Sequence, residues 1–564
     1  MERKYVIGLD YGTLSGRAII ADCKDGTVLA SAVKEYDHGV MSEYLPDGTE
    51  LTGTGWALQN PKDYIDVLKY IIPEAVAQSG VSSKDIIGIG LDFTSCTMLP
   101  VDENNVPLCL LVKNVSRPHA WVKLWKHHGA QKQADEINEL LKKRGEIDNI
   151  QFGGKISSEL LLPKILQIVE EDPELYDEAA SFLEVGDWLT QILTNGRKRS
   201  GNLAGYKAMW TPETGYPSKD FLLQLSPKLE NLTEDKLGDD ITLAGQPVGY
   251  LTEDWAKELG LCAGIPIATA VIDSHAGMPG SGVSKSDQMM MVLGTSSVML
   301  ALSENGYSKN GVVSGIKGAI LPKKYALESG LAAVGDMLGW FVDNCVSWEY
   351  KQMADQQGMD LHSWLTRKAE KLSPGGHGLL ALDWWNGNKT PYVDGRLSGV
   401  LVGCTLLTKP EEIYRALIES TAFGTKKIMQ LFAESGVKIH TIIASGGIAE
   451  KNSLLMQIYA DVLNCEIHIS GTEQTAALGA AIYASVAAGK DLGGYETIQE
   501  AVANMSHLKD IVYKPNPPMV EKYVELYQMY CNLVEMFNPQ KKYHYDYIKS
   551  IALKVRISLE KQRQ

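Results

Sequence analysis

"VIGLDYGTLSGRAII", Val6 to Ile20, sets two apolar runs on either side of a short polar turn. Read outward from that turn, Tyr5–Leu9 is one strand and Arg17–Ala21 the next. Asp25-Gly26 marks a second turn, and Thr27–Tyr36 is a third strand. Asp10 closes the first run, and Gly12 and Thr13 follow it. Asp, Gly and Thr are common in wet turns. They also suit a turn that holds phosphate oxygens on backbone N–H groups, with Asp10 beside a hard cation.

The second half repeats the plan. "MMMVLGTSSVMLAL", Met289 to Leu302, is strand, turn, strand, with Gly294 and Thr295 in the turn. "HTIIASGGIAEKNSLLMQIYADVLNCEIHIS" reads as strand, Gly446-Gly447 turn, helix, strand. Glycines between a strand and a helix let a ligand approach the backbone where a helix N-terminus favours negative charge. "TKPEEIYRALIES" opens a helix with Thr408 as its expected N-cap. "TAALGAAIYASVAAG" is a helix of small residues ending at Gly489. Helices are expected over 60–80 and much of 115–195. "DIIGIGLDFTSCTMLPVD" adds a buried strand ending near Asp92. Its Gly88-Ile89-Gly90 lacks the third glycine of a dinucleotide fingerprint, and the chain has no P-loop.

A chain of 564 residues exceeds one core, so two domains are expected. The boundary is placed near 262–285, giving units of 1–275 and 276–564, the second with a helical tail after about 490. The hydrophobic fraction of 45% and charged fraction of 22% are those of a globular protein. A net charge of −15 argues against nucleic acid or an anionic membrane as partner. Eight scattered cysteines with no Cys-x-x-Cys argue against zinc or a disulfide framework. No run is long enough to span a bilayer, and the N-terminus lacks an adequate signal core, so a cytoplasmic protein is expected. The basic C-terminal stretch, "KKYHYDYIKSIALKVRISLEKQRQ", reads as a surface helix.

"ATAVIDSHAG" places Asp273 past an apolar strand at the expected junction, where α/β sheets gather ligands. It reads as a proton acceptor for a hydroxyl attacking phosphorus, or as a helix cap. His275 reads as a packing or supporting residue. Lys207 and Glu328 are charges in stretches of small and apolar residues, suited to a hydroxyl-rich ligand or to a structural ion pair. Trp384 and Trp385 read as a stacking platform or as core.

Taken in order, "IGLDYGT", "DSHAG", "LGTSS", "NGNKTPYVDGRLSGVLVG", "SGGIAEKNSLLMQIYADVL" and "TAALGAAIYA" resemble the FGGY carbohydrate kinases of the actin–Hsp70–hexokinase superfamily. The resemblance runs from about residue 4 to about 490. "WALQNPKDY", "FGGKISSELLLPK", "AGYKAMW", "LESGLAAVGD" and "ALDWWNGNKTP" are most similar to the branch that phosphorylates L-ribulose, rather than to the glycerol or xylulose branches.

The resemblance implies an α/β protein of two ribonuclease-H-like domains, each with a five-stranded mixed sheet, and a catalytic cleft between them. It implies ATP and Mg²⁺ as cofactors and L-ribulose as acceptor, with D-ribulose, xylulose or glycerol as the alternatives. A nucleotide switch of the actin or Hsp70 type is the non-enzymatic reading. Asp10 would organise Mg²⁺, and Gly12, Thr13, Gly294 and Thr295 would face the phosphates. Gly446, Gly447 and Asn452 would lie at the adenosine. Asp273 would be the general base, ionised at pH 7, and Ser95, Lys207 and Glu328 would bind the sugar. The residues at the sugar-side strand, Ser95 and Cys96, vary among relatives. A homodimer is the expected assembly.

Overall fold

A computed structural model describes residues 3–147, 152–307 and 310–538. The expected basic helix after 540 lies outside these residues. The opening stretch forms strands β1 (Tyr5–Tyr11) and β2 (Ser15–Asp22), joined by the turn at 12–14 and paired antiparallel. β3 (Val28–Glu35) follows antiparallel on β2, and β4 (Ile86–Phe93) lies parallel to β1 on its other side. Every residue of β4 is buried, as expected of a strand covered on both faces.

The sheet is completed by β5 (Pro247–Tyr250), β6 (Pro266–Ala268) and β7 (Val271–Ile272). β6 and β7 both run parallel to β4 and form one interrupted strand, while β5 is antiparallel on β6. The second sheet contains β8 (Gln288–Leu293), β9 (Ser297–Ser303), β10 (Tyr325–Leu331), β11 (Thr441–Ser445), β12 (Glu466–Ser470) and β13 (Leu508–Tyr513). Its order is β10-β9-β8-β11-β12-β13.

The two sheets share one plan. In each, three antiparallel strands from one hairpin system are extended by two parallel strands on the side of the first. The loose duplication read from the sequence is therefore a duplication of topology. The expected five strands are exceeded in both sheets, because β5 and β13 each add an antiparallel edge.

Helix α1 (Pro61–Ser79) covers the first sheet from one side, packing on β2 and β3. Helices fill much of 115–195, as expected, and short strands lie between them. Short strands at Leu58–Gln59, Met98–Val101, Val122–Lys123 and Ser181–Glu184 form a separate small sheet. It carries helices α2 (Leu161–Glu171), α3 (Val185–Thr194) and α4 (Gly201–Lys207) around it.

Two helices of small residues make the seam between the sheets. α5 (Asp273–Ser281) starts directly from β7, and helix Thr475–Ala488 packs along it and over β1 and β4. The glycines of the first sheet make room for this second helix. A Cβ on Gly8 would fall 2.0 Å from the Ala477 carbonyl oxygen, and one on Gly90 would fall 1.9 Å from that of Ala480. Gly88-Ile89-Gly90 is thus a packing feature and not a nucleotide fingerprint.

Further helices of the second half include α6 (Gly335–Cys345), α7 (Leu361–Ala369), α8 (Pro410–Glu434), α9 (Gly447–Lys451), α10 (Ser453–Leu463), the seam helix α11 (Thr475–Ala488) and α12 (Pro517–Met536). α8 begins one residue later than expected. Lys409 is its N-cap, with its N–H donating to Glu412, and Thr408 instead accepts from the Thr405 N–H of the preceding turn. Trp384 is buried in the second core, edge-on to Tyr392, and the half-buried Trp385 packs on Trp340. All eight cysteines are free thiols. Among the described residues no helix is long and apolar enough to cross a membrane.

Candidate active site

Asp10 and Asp92 stand directly opposite each other near the C-terminal ends of the parallel strands β1 and β4. Val271 of β7 pairs with Asp92, so the chain enters α5 at Asp273 beside them. Three acids are thereby brought to one end of the first sheet. Asp10 keeps a fifth of its side chain exposed and lies 3.6 Å from an Arg17 guanidinium nitrogen. Burial raises its carboxyl above the usual range, with Arg17 pulling it back.

Asp92 has no exposed surface, and neither of its oxygens makes a hydrogen bond of ordinary geometry. Burial first, then the charges of Asp10 and Asp273, push its carboxyl well up. Burial therefore favours its neutral form beside the more exposed Asp10.

Asp273 is half-buried. It is the first residue of α5 and not its cap, a position held by Ile272, and its carboxylate accepts the Ser274 N–H at 2.6 Å. Burial pushes its carboxyl up to about 7, with Asp10 and Glu328 adding and Lys207 opposing. This corrects the expectation of full ionisation. Burial thus favours its neutral form more than in a free aspartate.

Lys207 ends α4 and lies in the field of Asp273 and Glu328. Glu328 comes from β10, in the second sheet, so the cluster draws on both halves of the chain. His275 is fully buried, with Nε2 at 3.1 Å from a Glu328 oxygen and Nδ1 at 3.0 Å from Asn202 Nδ2. Its supporting role is thus an ion-pair-like tie to Glu328. Ser95 is half-buried in the turn after β4, next to Cys96, which is buried and left-handed at φ 45°.

The paired hairpins are built alike. The Gly12 N–H donates to Ser15 O at 3.0 Å, and the Gly294 N–H donates to Ser296 O at 3.0 Å. The Thr13 carbonyl accepts from Gln59 at 2.7 Å and its hydroxyl from the Trp125 indole at 3.1 Å. The Thr295 carbonyl accepts from the N–H groups of Val334 and Asp336, tying the turn to the start of α6.

Gly446 has φ 94°, and a Cβ there would meet Leu293 O at 2.3 Å, so only glycine fits. Gly447, in contrast, faces open space. Gly294, Gly447 and Asn452 line a cleft of about 710 Å³ together with Thr366, Arg367 and Tyr414 from α7 and α8. Asn452 caps α10, accepting the Leu455 N–H at 3.0 Å.

The structure thus joins Asp10, Asp273, Lys207 and Glu328 into one polar cluster, and Gly294, Gly447 and Asn452 into a cleft of nucleotide size. The sequence reading missed Asp92, Arg17 and the α7 wall of the cleft. Asp92 carried the same signal as Asp10, an acid ending a fully apolar strand. Arg17 faces Asp10 in register across the hairpin.

The donor set suits magnesium. No group of three or more His, Cys, Asp or Glu side chains able to hold a metal occurs among the described residues. Mg²⁺ needs none, since it keeps several waters and uses one or two carboxylates. Asp10 could supply one, and the buried Asp92 behind it is the kind of acid that a nearby cation would relieve.

Residues 5–280 match the N-terminal domain, and 289–488 the C-terminal domain, of the FGGY family of carbohydrate kinases. A ribulokinase of Anoxybacillus flavithermus is 47% identical over 537 residues, 95% of each chain. A ribulokinase of Geobacillus thermodenitrificans is likewise 47% identical over 95% of each chain. The xylulose kinase structure from Rhodospirillum rubrum superposes with a TM-score of 0.78 at 21% identity, covering 95% of this chain and 99% of its own. With both family domains matched in order across two sheets of one topology, the chain belongs to the FGGY family of carbohydrate kinases.

Proposed function

We propose that the protein transfers the γ-phosphoryl group of ATP to the 5-hydroxyl of L-ribulose, giving L-ribulose 5-phosphate and ADP. The observation that carries this reading is the half-buried Asp273, lying in the field of Asp10, Glu328 and Lys207. An acid poised near neutrality there is suited to accept the hydroxyl proton as the O–P bond forms. The full-length likeness to two ribulokinases supports L-ribulose as the acceptor.

Lys207, Glu328 and Ser95 bind the sugar hydroxyls, with His275 holding Glu328 in its charged form. The sugar sits mainly on residues 1–275, borrowing Glu328 from the second unit, and the nucleotide on 276–564. Gly446, Gly447 and Asn452 take the adenosine. Gly12, Thr13, Gly294 and Thr295 take the phosphates from the two sides. Asp10 holds Mg²⁺ through water, with Asp92 behind it. The ion, when bound, neutralises phosphate charge. Phosphoryl transfer has a loose transition state, so the protein's main task is alignment. Closing of the two halves would exclude water as a competing acceptor.

A coupled ADP-release assay over a panel of pentuloses and polyols tests the reading. L-ribulose is expected to give the highest kcat/KM. A higher value for D-ribulose, D-xylulose or glycerol would reassign the substrate. ATP hydrolysis unmoved by any sugar would favour a nucleotide switch.

A further inference from the structure

Lys164, on α2, has no exposed surface, yet it carries an amine. That amine donates to the Cys96 carbonyl at 2.7 Å and to the Leu124 carbonyl at 2.8 Å. The two acceptors belong to different segments. Cys96 closes the turn after β4, next to Ser95 and in the field of Lys207. Leu124 leads into Trp125, whose indole reaches the Thr13 hydroxyl.

A lysine is a poor core filler. Burial opposes its charge, and Lys207 adds to the penalty, while Cys96, Glu159 and Glu184 pull the other way. Glu184 is itself buried, with neither oxygen in a hydrogen bond of ordinary geometry. It faces Met98 in register, just past the same turn. A leucine or methionine would fill the volume of Lys164 at lower cost, but it could not bridge two carbonyls on separate segments.

We infer that Lys164 is a positioning residue for the acceptor sugar, tying the Ser95–Cys96 turn to the Leu124–Trp125 segment and so fixing the spacing of the walls around the sugar. The inference rests on the sugar placement proposed above. Lys164 does not touch the sugar. It acts through the backbone that carries Ser95 and through the segment that meets Thr13.

The test is steady-state kinetics of Lys164→Met and Lys164→Gln beside the wild type, with folding checked by circular dichroism and thermal melting. The acceptor is whichever sugar of the panel the wild type uses best, so failure of the L-ribulose assignment shows in the wild type alone. Lys164→Met is expected to raise the acceptor KM at least about tenfold, the size of one lost charged hydrogen bond. The ATP KM should rise several-fold less than the acceptor KM, since Lys164 reaches the phosphate turn only indirectly, through Trp125 and Thr13. Lys164→Gln keeps an N–H donor for the carbonyls and should recover most of the loss. An acceptor KM that does not move, an ATP KM that rises in parallel, or a Gln variant no better than Met would each overturn the inference. So would failure of both variants to fold, which would assign Lys164 to the core.

Discussion

His275 Nε2 lies 3.1 Å from Glu328 Oε2, joining the first helix of the seam to an edge strand of the second sheet. Both groups are shifted down, Glu328 by the contact and His275 by burial in spite of it. Glu328 is held down at about 2, burial being outweighed by His275 and Lys207, and burial lowers the histidine. Both therefore bind fewer protons when folded than when unfolded, so stability rises with pH. The contribution is complete above about pH 6.5. It declines below that as the unfolded histidine protonates, and again between about 4.3 and 2 for the carboxylate. His275→Gln keeps an amide donor but cannot titrate. Its unfolding free energy should fall less steeply between pH 7 and 5, by up to about 1.4 kcal/mol per pH unit. Urea melts at the two pH values read the difference, and equal slopes would remove His275 from the account.

Among the described residues the Lys207 amine makes no hydrogen bond or ion pair, and it lies in the field of Asp273 and Glu328. A cation so placed is available to a sugar hydroxyl. Lys207→Met is expected to raise the L-ribulose KM by roughly 10- to 100-fold, the worth of one charged hydrogen bond. The ATP KM should change little. Initial rates with each substrate varied in turn check this.

Gly479 of α11 stands against Ala276 of α5, where an added Cβ would lie 1.7 Å from the Ala276 carbonyl oxygen. Gly479→Ala must push the seam helices apart, and overpacking of this kind costs about 1–3 kcal/mol. Because Asp273 begins α5, turnover should fall with stability. Gly339, in the middle of α6, meets nothing within 4 Å, so Gly339→Ala is the control and should be neutral or stabilising. Denaturant midpoints of the two variants decide the point.

Much of this fold was legible in the sequence because local signals coincided with global ones. The strand-turn-strand runs at Val6–Ile20 and Met289–Leu302 formed where they were read. The small-residue run at Thr475–Ala488 formed a helix, and the structure gives the reason for its composition: it must pass close to glycines of the first sheet. The additional edge strands were not legible. Pro247–Tyr250 is only four residues long, and Leu508–Tyr513 is largely exposed, so neither carries a core pattern.

Individual site residues were found by type and place, but their states were not. The proton affinity of Asp273 depends on burial by distant parts of the chain, which no local motif encodes. The partner of Glu328 was hidden for the same reason, since His275 is 53 residues away in sequence. Lys164 looked like an ordinary helix lysine until the two carbonyls were seen to converge on it.

The most direct test of the account is L-ribulose-dependent ADP release by the wild type and by Asp273→Asn across pH 5.5 to 8.5, a span of about 1.5 units either side of a carboxyl near 7. The wild-type kcat/KM should rise with pH through an inflection near 7, as the carboxyl loses its proton and becomes able to accept another. A folded Asp273→Asn protein should turn over roughly 10²- to 10⁴-fold more slowly and lose that inflection. Turnover within about threefold of wild type in the folded variant, against the 10²-fold or greater loss expected of a missing base, would contradict the assignment of Asp273 as the base and the mechanism built on it.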